Sequence, residues 1–210
     1  MALEPKISKI GARRGGRAPD SNPAMPYLIA EEPESGLRGQ LADFGQFVGS
    51  WDITLTSIAP DGRRTKFVAE WHFGWVLNGR SIQDVLITRT KQGELVGYGT
   101  TVRTYDDRDG KWWIVWQDPL AHEFAVLYAR PEGDTIMLEG QWPESPGARF
   151  RWVFSRITSS SFRWQGLLST DDGATWVLAE EMDAQRRDRD GSRNPARAAT
   201  RSSPPHHNYG

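Results

Sequence analysis

Asp118 and His122 stand four residues apart across Pro119-Leu120-Ala121, a spacing that lets a carboxylate orient an imidazole over a turn. An imidazole held in that way titrates near neutrality, as a proton-transfer base must. The two residues are therefore the candidate catalytic pair. The alternative is structural: rim residues satisfied by water and turn amides. Other polar groups fall in strand-like stretches on what reads as the apolar side. These are Asp84 beside Ile82 and Leu86, Tyr98, Tyr128 beside Phe124, and Glu180 beside Trp176. A carboxylate in such surroundings has a raised pKa, because burial disfavours its charge. His72, in phase with Glu70, reads as an outward-facing surface histidine.

Several chemistries are excluded or unsupported. With no cysteine the chain has no disulfide, no thiolate metal site and no Cys nucleophile. Its glycines occupy turns and form neither a dinucleotide fingerprint nor a phosphate loop. No His pair has helical metal spacing, so no metal site is expected. His206-His207 offers at most an adventitious one. Ser159-Ser160-Ser161 is a turn and lacks the following helix of a nucleophile elbow. No cofactor is expected.

The elements that must position these groups are strands. Ten tryptophans follow the opener Phe47-Val48-Gly49-Ser50-Trp51-Asp52. Strands are predicted over 50–59, 64–76, 81–90, 95–105, 111–118, 122–130, 134–142, 149–157, 161–169 and 175–186. Between them lie turn signals such as Pro60-Asp61-Gly62, Asn78-Gly79, Asp109-Gly110 and Asp172-Gly173. Connections this short force antiparallel neighbours, and a ten-strand meander leaves two exposed edges unless it closes. The expected fold is all-β, a single antiparallel up-and-down barrel. A short helix between Leu37 and Val48 would plug one end, with Leu41 and Phe44 on its apolar face. Residues 1–36 read as a flexible segment, 37–187 as the barrel and 188–210 as a disordered Arg-rich tail.

Alternation points Trp51, Trp71, Trp75, Trp112, Trp116, Trp152, Trp164 and Trp176 inward. So many rings are hard to interdigitate without leaving room for a ligand. The candidate ligand-binding residues are Trp71, Trp75, Trp116, Trp152 and Trp164 as apolar walls, with Asp84, Tyr98 and Tyr128 as orienting groups. Arg-aromatic alternation at Arg149-Phe150-Arg151-Trp152 could suggest nucleic-acid stacking. Inward rings would be out of reach of bases, however. The net charge is −1, with +3 in residues 1–20, +4 in 186–210 and therefore −8 between them, so no nucleic-acid partner is expected. No apolar run approaches the ~18 residues of a membrane helix and no secretory signal opens the chain. No membrane partner and a cytoplasmic location are expected, and a homodimer is compatible with the sequence.

The order Phe47-Val48-Gly49-Ser50-Trp51, Asn78-Gly79-Arg80, Tyr105-Asp106, Trp116-Gln117-Asp118, Asp171-Asp172-Gly173-Ala174-Thr175-Trp176 and Arg186 resembles the lipocalin-like (calycin) superfamily. Within it the chain is most similar to an uncharacterised bacterial domain family. The resemblance covers about 44–187 and implies a barrel that binds a small molecule. A related ten-stranded subgroup, the nitrobindins, holds haem through a late-barrel histidine, and the last four strands here have none. The expected function is binding of a small apolar, aromatic or polycyclic molecule. The alternative is a cofactor-independent isomerase or cyclase with His122 or a carboxylate as acid/base. An interaction module working through the basic tails is the third class.

Overall fold

Ten strands follow one another through short turns in the order the sequence predicts. They are β1 (Gly49–Ile58), β2 (Arg64–Val76), β3 (Ser81–Arg89), β4 (Leu95–Asp106) and β5 (Lys111–Asp118), then β6 (Glu123–Ala129), β7 (Ile136–Gln141), β8 (Arg149–Ser155), β9 (Ser161–Ser169) and β10 (Val177–Arg186). The structure, a computed structural model, describes residues 24–129, 131, 133–142 and 147–187. The expectations for residues 1–23 and 188–210, including His206-His207, lie outside the described residues. Every strand pairs antiparallel with its neighbours in sequence, and β1 pairs with β10 to close the barrel. Closure leaves no sheet edge, which is the physical solution to an otherwise exposed ten-strand meander. Leu77, Asn78 and Gly79 turn β2 into β3 with φ of 52°, 56° and 79°, left-handed conformations that Asn and Gly adopt most readily. Among the described residues, no helix is long and apolar enough to cross a membrane.

Two short helices precede the barrel, α1 (Met25–Leu28) and α2 (Arg38–Gly45). Helix α2 is the expected plug: Leu41 and Phe44 are fully buried, and Phe47 beyond it is too. The Phe44 ring meets Trp112 edge-on at 4.8 Å, and Phe47 lies 5.0 Å from Phe154 and 4.9 Å from Phe162. Burial of such side chains contributes about 2–3 kcal/mol each. Two indoles fix the plug. Trp51 Nε1 donates to the Phe47 carbonyl at 2.7 Å, and Trp112 Nε1 donates to Asp43 Oδ2 at 3.2 Å. Burial pushes the Asp43 carboxyl above its usual range, and the bond from Trp112 opposes that shift.

The last part of the segment expected over 1–36 is bonded to the barrel. Ala30 N donates to Trp75 O, Leu77 N to Tyr27 O and Glu34 N to Gly79 O. Arg80 pairs with Glu34 at 3.0 Å. Two carbonyls and one amide at the end of β2 and in its turn thus find their partners in residues 27–34, which pack on the barrel.

Candidate functional site

The barrel interior grades from a sealed end to a partly open one. Under the plug, Trp51, Phe73, Trp112, Phe154 and Phe162 are buried around Phe44 and Phe47. Trp75 belongs to this layer: a Cβ on Gly45 of α2 would lie 2.8 Å from its indole. It therefore packs the plug in place. Toward the opposite end, Trp164 meets Trp152 at 5.7 Å, and Trp152 meets Trp116 edge-on at 5.9 Å. Trp116 and Trp152 face inward yet are only partly buried. Room for these rings comes from glycine. A Cβ on Gly99 would sit 2.1 Å from the Trp116 ring, and one on Gly166 would sit 2.7 Å from Trp164.

Polar chemistry in this interior centres on a residue that the sequence pattern did not reveal, Arg103. Its guanidinium pairs with Asp84, and both side chains are completely buried. Asp84 also accepts the Thr101 amide at 3.2 Å. The Arg103 guanidinium lies between two rings, 5.2 Å from Phe44 and 5.4 Å from Phe73. Cation–π attraction to both partly replaces the hydration it has lost. Among the described residues, Arg103 Nε and Nη2, Trp71 Nε1, Trp164 Nε1 and Thr101 Oγ1 are buried without a hydrogen-bond partner. No group of three or more potential metal ligands occurs among the described residues.

Several expected interior residues lie outside. Tyr98 and Tyr128 are 40% and 41% exposed, because β4 and β6 present their other face to the core. Gly99, Thr101 and Arg103 point in from β4, and Ala125, Leu127 and Ala129 from β6. Trp116 sits in register with Thr101 on one side and Ala125 on the other. Its bulk therefore demands small inward neighbours and sends the aromatics of both strands outward. Tyr128 stacks edge-on with Trp113 at 4.5 Å on the outer wall, beside Lys111. Trp176 is outside as well, 4.0 Å from the Arg151 guanidinium.

Asp118 and His122 occupy the rim away from the plug, without the arrangement a base requires. Asp118 Oδ1 accepts the amides of Leu120 and Ala121 at 2.8 and 2.9 Å, which makes it the cap of its own turn. His122 is exposed with φ of 58°, and among the described residues the two side chains share no hydrogen bond. They do contribute, with Tyr98, Val85 and Phe124, to an external cleft of about 520 Å³ across β3–β6. A second, polar groove of about 1070 Å³ crosses the outside of β9, β10, β1, β2 and β3. Its ion pairs include Arg187 with Asp52 and Glu70, and Arg163 with Asp183. At the rim Glu180 is partly buried. Burial pushes its carboxyl above the usual range, and the Glu123 charge adds to the shift.

The sequence matches no protein-family model and no curated protein. Solved structures do match. Rv2717c from M. tuberculosis is 18% identical, with 71% of this chain covering 98% of that one at a TM-score of 0.53. The S-type phycobiliprotein lyase CPES from Guillardia theta is 14% identical, with 70% of this chain covering 91% of that one at a TM-score of 0.50. These likenesses are those of the fold, a closed ten-strand barrel.

Proposed function

We propose that the barrel binds a small, largely apolar, aromatic or polycyclic molecule. It is admitted at the end away from α2 and held against Trp116, Trp152 and Trp164, in a fold of the lipocalin-like kind. The observation that carries this reading is the contrast between Trp112, sealed under the plug, and the partly buried, inward-facing Trp116 and Trp152. Aromatic walls left accessible at one end favour a flat apolar guest, which gains area burial and ring–ring contacts together. The fold neighbour that is a phycobiliprotein lyase is compatible with a barrel that handles small molecules.

The test is a titration with the neutral fluorophore N-phenyl-1-naphthylamine, read by its own emission and by energy transfer from tryptophan. Trp116→Ala and Trp152→Ala should each weaken binding about tenfold, the loss of one aromatic contact of ~1.4 kcal/mol. Tyr98→Ala and Phe124→Ala, in the external cleft, should leave it unchanged. Weakening by the second pair alone would move the site to the outer wall, and absence of binding would overturn the proposal.

A further inference from the structure

The unpaired polar atoms of the interior are one-sided in character. Arg103 Nε and Nη2 and the indole Nε1 atoms of Trp71 and Trp164 can only donate, and the Thr101 hydroxyl can donate too. Each is buried without a partner among the described residues. Native interiors satisfy such groups, since a buried donor left unpaired costs about 1–3 kcal/mol. The side chains that carry these donors share aromatic neighbours. Trp71 packs on Phe73 at 4.9 Å, and the Arg103 guanidinium lies 5.4 Å from that same ring. Thr101 is two residues before Arg103 on the inward face of β4. Trp71 also meets Phe154 at 5.8 Å, and Phe154 is the register partner of Trp164. The interior thus lacks acceptors where it has spare donors.

Charge decides which acceptor fits. The Arg103 cation is already matched by Asp84, with both groups at zero exposure. A carboxylate brought to this pole would leave a net buried negative charge, which is costly in low dielectric. Its path is also unfavourable, because Asp118 and Glu123 face each other in register at the open rim and Glu180 lies within reach of the Glu123 charge. A neutral carbonyl oxygen accepts two hydrogen bonds, adds no charge and crosses that rim without repulsion.

We propose that the molecule held in this barrel is an uncharged aromatic carbonyl compound, a ketone or quinone, whose oxygen accepts hydrogen bonds from the donor pole formed by Arg103 and Trp71. This rests on the interior-binding reading above and specifies its ligand class. Hydrogen bonds from a guanidinium and an indole in a water-poor site discriminate strongly against an analogue that lacks the oxygen, because the donors then stay unpaired.

The experiment compares three ligands of one shape, 9-fluorenone, fluorene and 9-fluorenecarboxylate, by displacement of N-phenyl-1-naphthylamine from the full chain. Fluorenone should displace the probe at concentrations about tenfold below those of both others. Its bound C=O stretch should lie below the value in hydrocarbon solvent, a direct mark of hydrogen bonding. Trp71→Phe keeps a ring in place and removes one donor. With its melting temperature checked, it should reduce the fluorenone preference at least threefold and return the stretch part of the way. Equal displacement by fluorenone and fluorene, or strongest displacement by the carboxylate, would overturn the ligand class while leaving interior binding intact. Failure of the fluorophore itself to bind would remove the binding reading and this proposal together.

Discussion

The guanidinium of Arg186 lies 4.0 Å over the indole of Trp51. The last residue of β10 thus covers the ring that opens β1. The same group donates to three carbonyls, Val48 O at 2.8 Å, Gln46 O at 2.6 Å and Ser159 O at 2.7 Å. Gly49 makes this approach feasible. Its φ is 126°, and a Cβ there would stand 2.8 Å from Arg186 Nη1. One planar side chain therefore ties the plug, the first strand and the β8–β9 turn to the end of the barrel.

Arg186→Lys keeps the charge but loses the planar fork and the ring stacking. It should cost about 2–4 kcal/mol, the sum of one cation–π contact and two or three charged hydrogen bonds. Urea unfolding followed by tryptophan emission measures it. A loss below ~0.5 kcal/mol would mean that the plug is held by its aromatic contacts alone.

The Asp84–Arg103 pair makes a sharper prediction. Arg103→Met leaves a buried carboxylate without its partner and should cost about 3–5 kcal/mol. Asp84→Leu combined with Arg103→Met removes both charges from the interior and should recover most of that loss. A double-mutant cycle in denaturant gives the coupling directly. Additive effects of the two substitutions would contradict the pairing.

Glu180 sets a pH dependence. Its carboxyl titrates above the usual range in the folded chain because of burial and the Glu123 charge. Between the unfolded and the folded pKa, the unfolded chain has released a proton that the native one retains, so stability falls as pH rises through that window and then levels off. Glu180→Gln lacks this loss. Its melting temperature should exceed that of the wild type at pH 7.5 and approach it at pH 4. An equal difference at both pH values would exclude the ionisation as the cause.

His122 is expected to be a turn residue. At φ of 58° a side chain carries left-handed strain that glycine does not. His122→Gly should therefore stabilise the protein by about 0.5–1 kcal/mol and leave fluorophore affinity unchanged. A variant that loses affinity while keeping its stability would return His122 to the site.

Gly99→Ala tests how the interior is apportioned. The new methyl would overlap the Trp116 ring and should cost about 1–3 kcal/mol as overpacking. Trp116→Leu in the same chain should relieve that clash. Thermal melts of the single and double variants suffice, and a neutral Gly99→Ala would mean that the ring moves freely into the mouth.

How far the sequence carried this reading is visible strand by strand. The turns, all ten strands and the plug were legible, because Gly-containing turns and alternating aromatics are local signals. Faces were legible wherever aromatics marked the core side, as with Trp71 and Phe73 on β2 or Phe162 and Trp164 on β9. They failed on β4 and β6, where aromatics lie outside, and at Trp176 just before β10. On β4 and β6 the inward face is set by a neighbour: the inward Trp116 of β5 requires Ala125 opposite it on β6 and Gly99 under its ring on β4. Such volume complementarity depends on register, which spacing within one strand does not carry. With the face of β4 inverted, Tyr98 was placed inside and Arg103 was overlooked. The one available signal was the run Gly97-Tyr98-Gly99, whose glycines mark a close approach from the next strand.

The pairing of β1 with β10 also has a kinetic consequence. The bond from Arg186 to Val48 joins residues 138 apart, so the first strand to leave the ribosome meets its second partner only when the tenth has emerged. Until then the growing sheet has two open edges and an incomplete aromatic lining, the state in which chains of high contact order are slowest and most prone to associate. A nascent chain stalled before residue 177 should depend on chaperones for solubility, and release of the final ten-residue strand is the step that makes it independent of them.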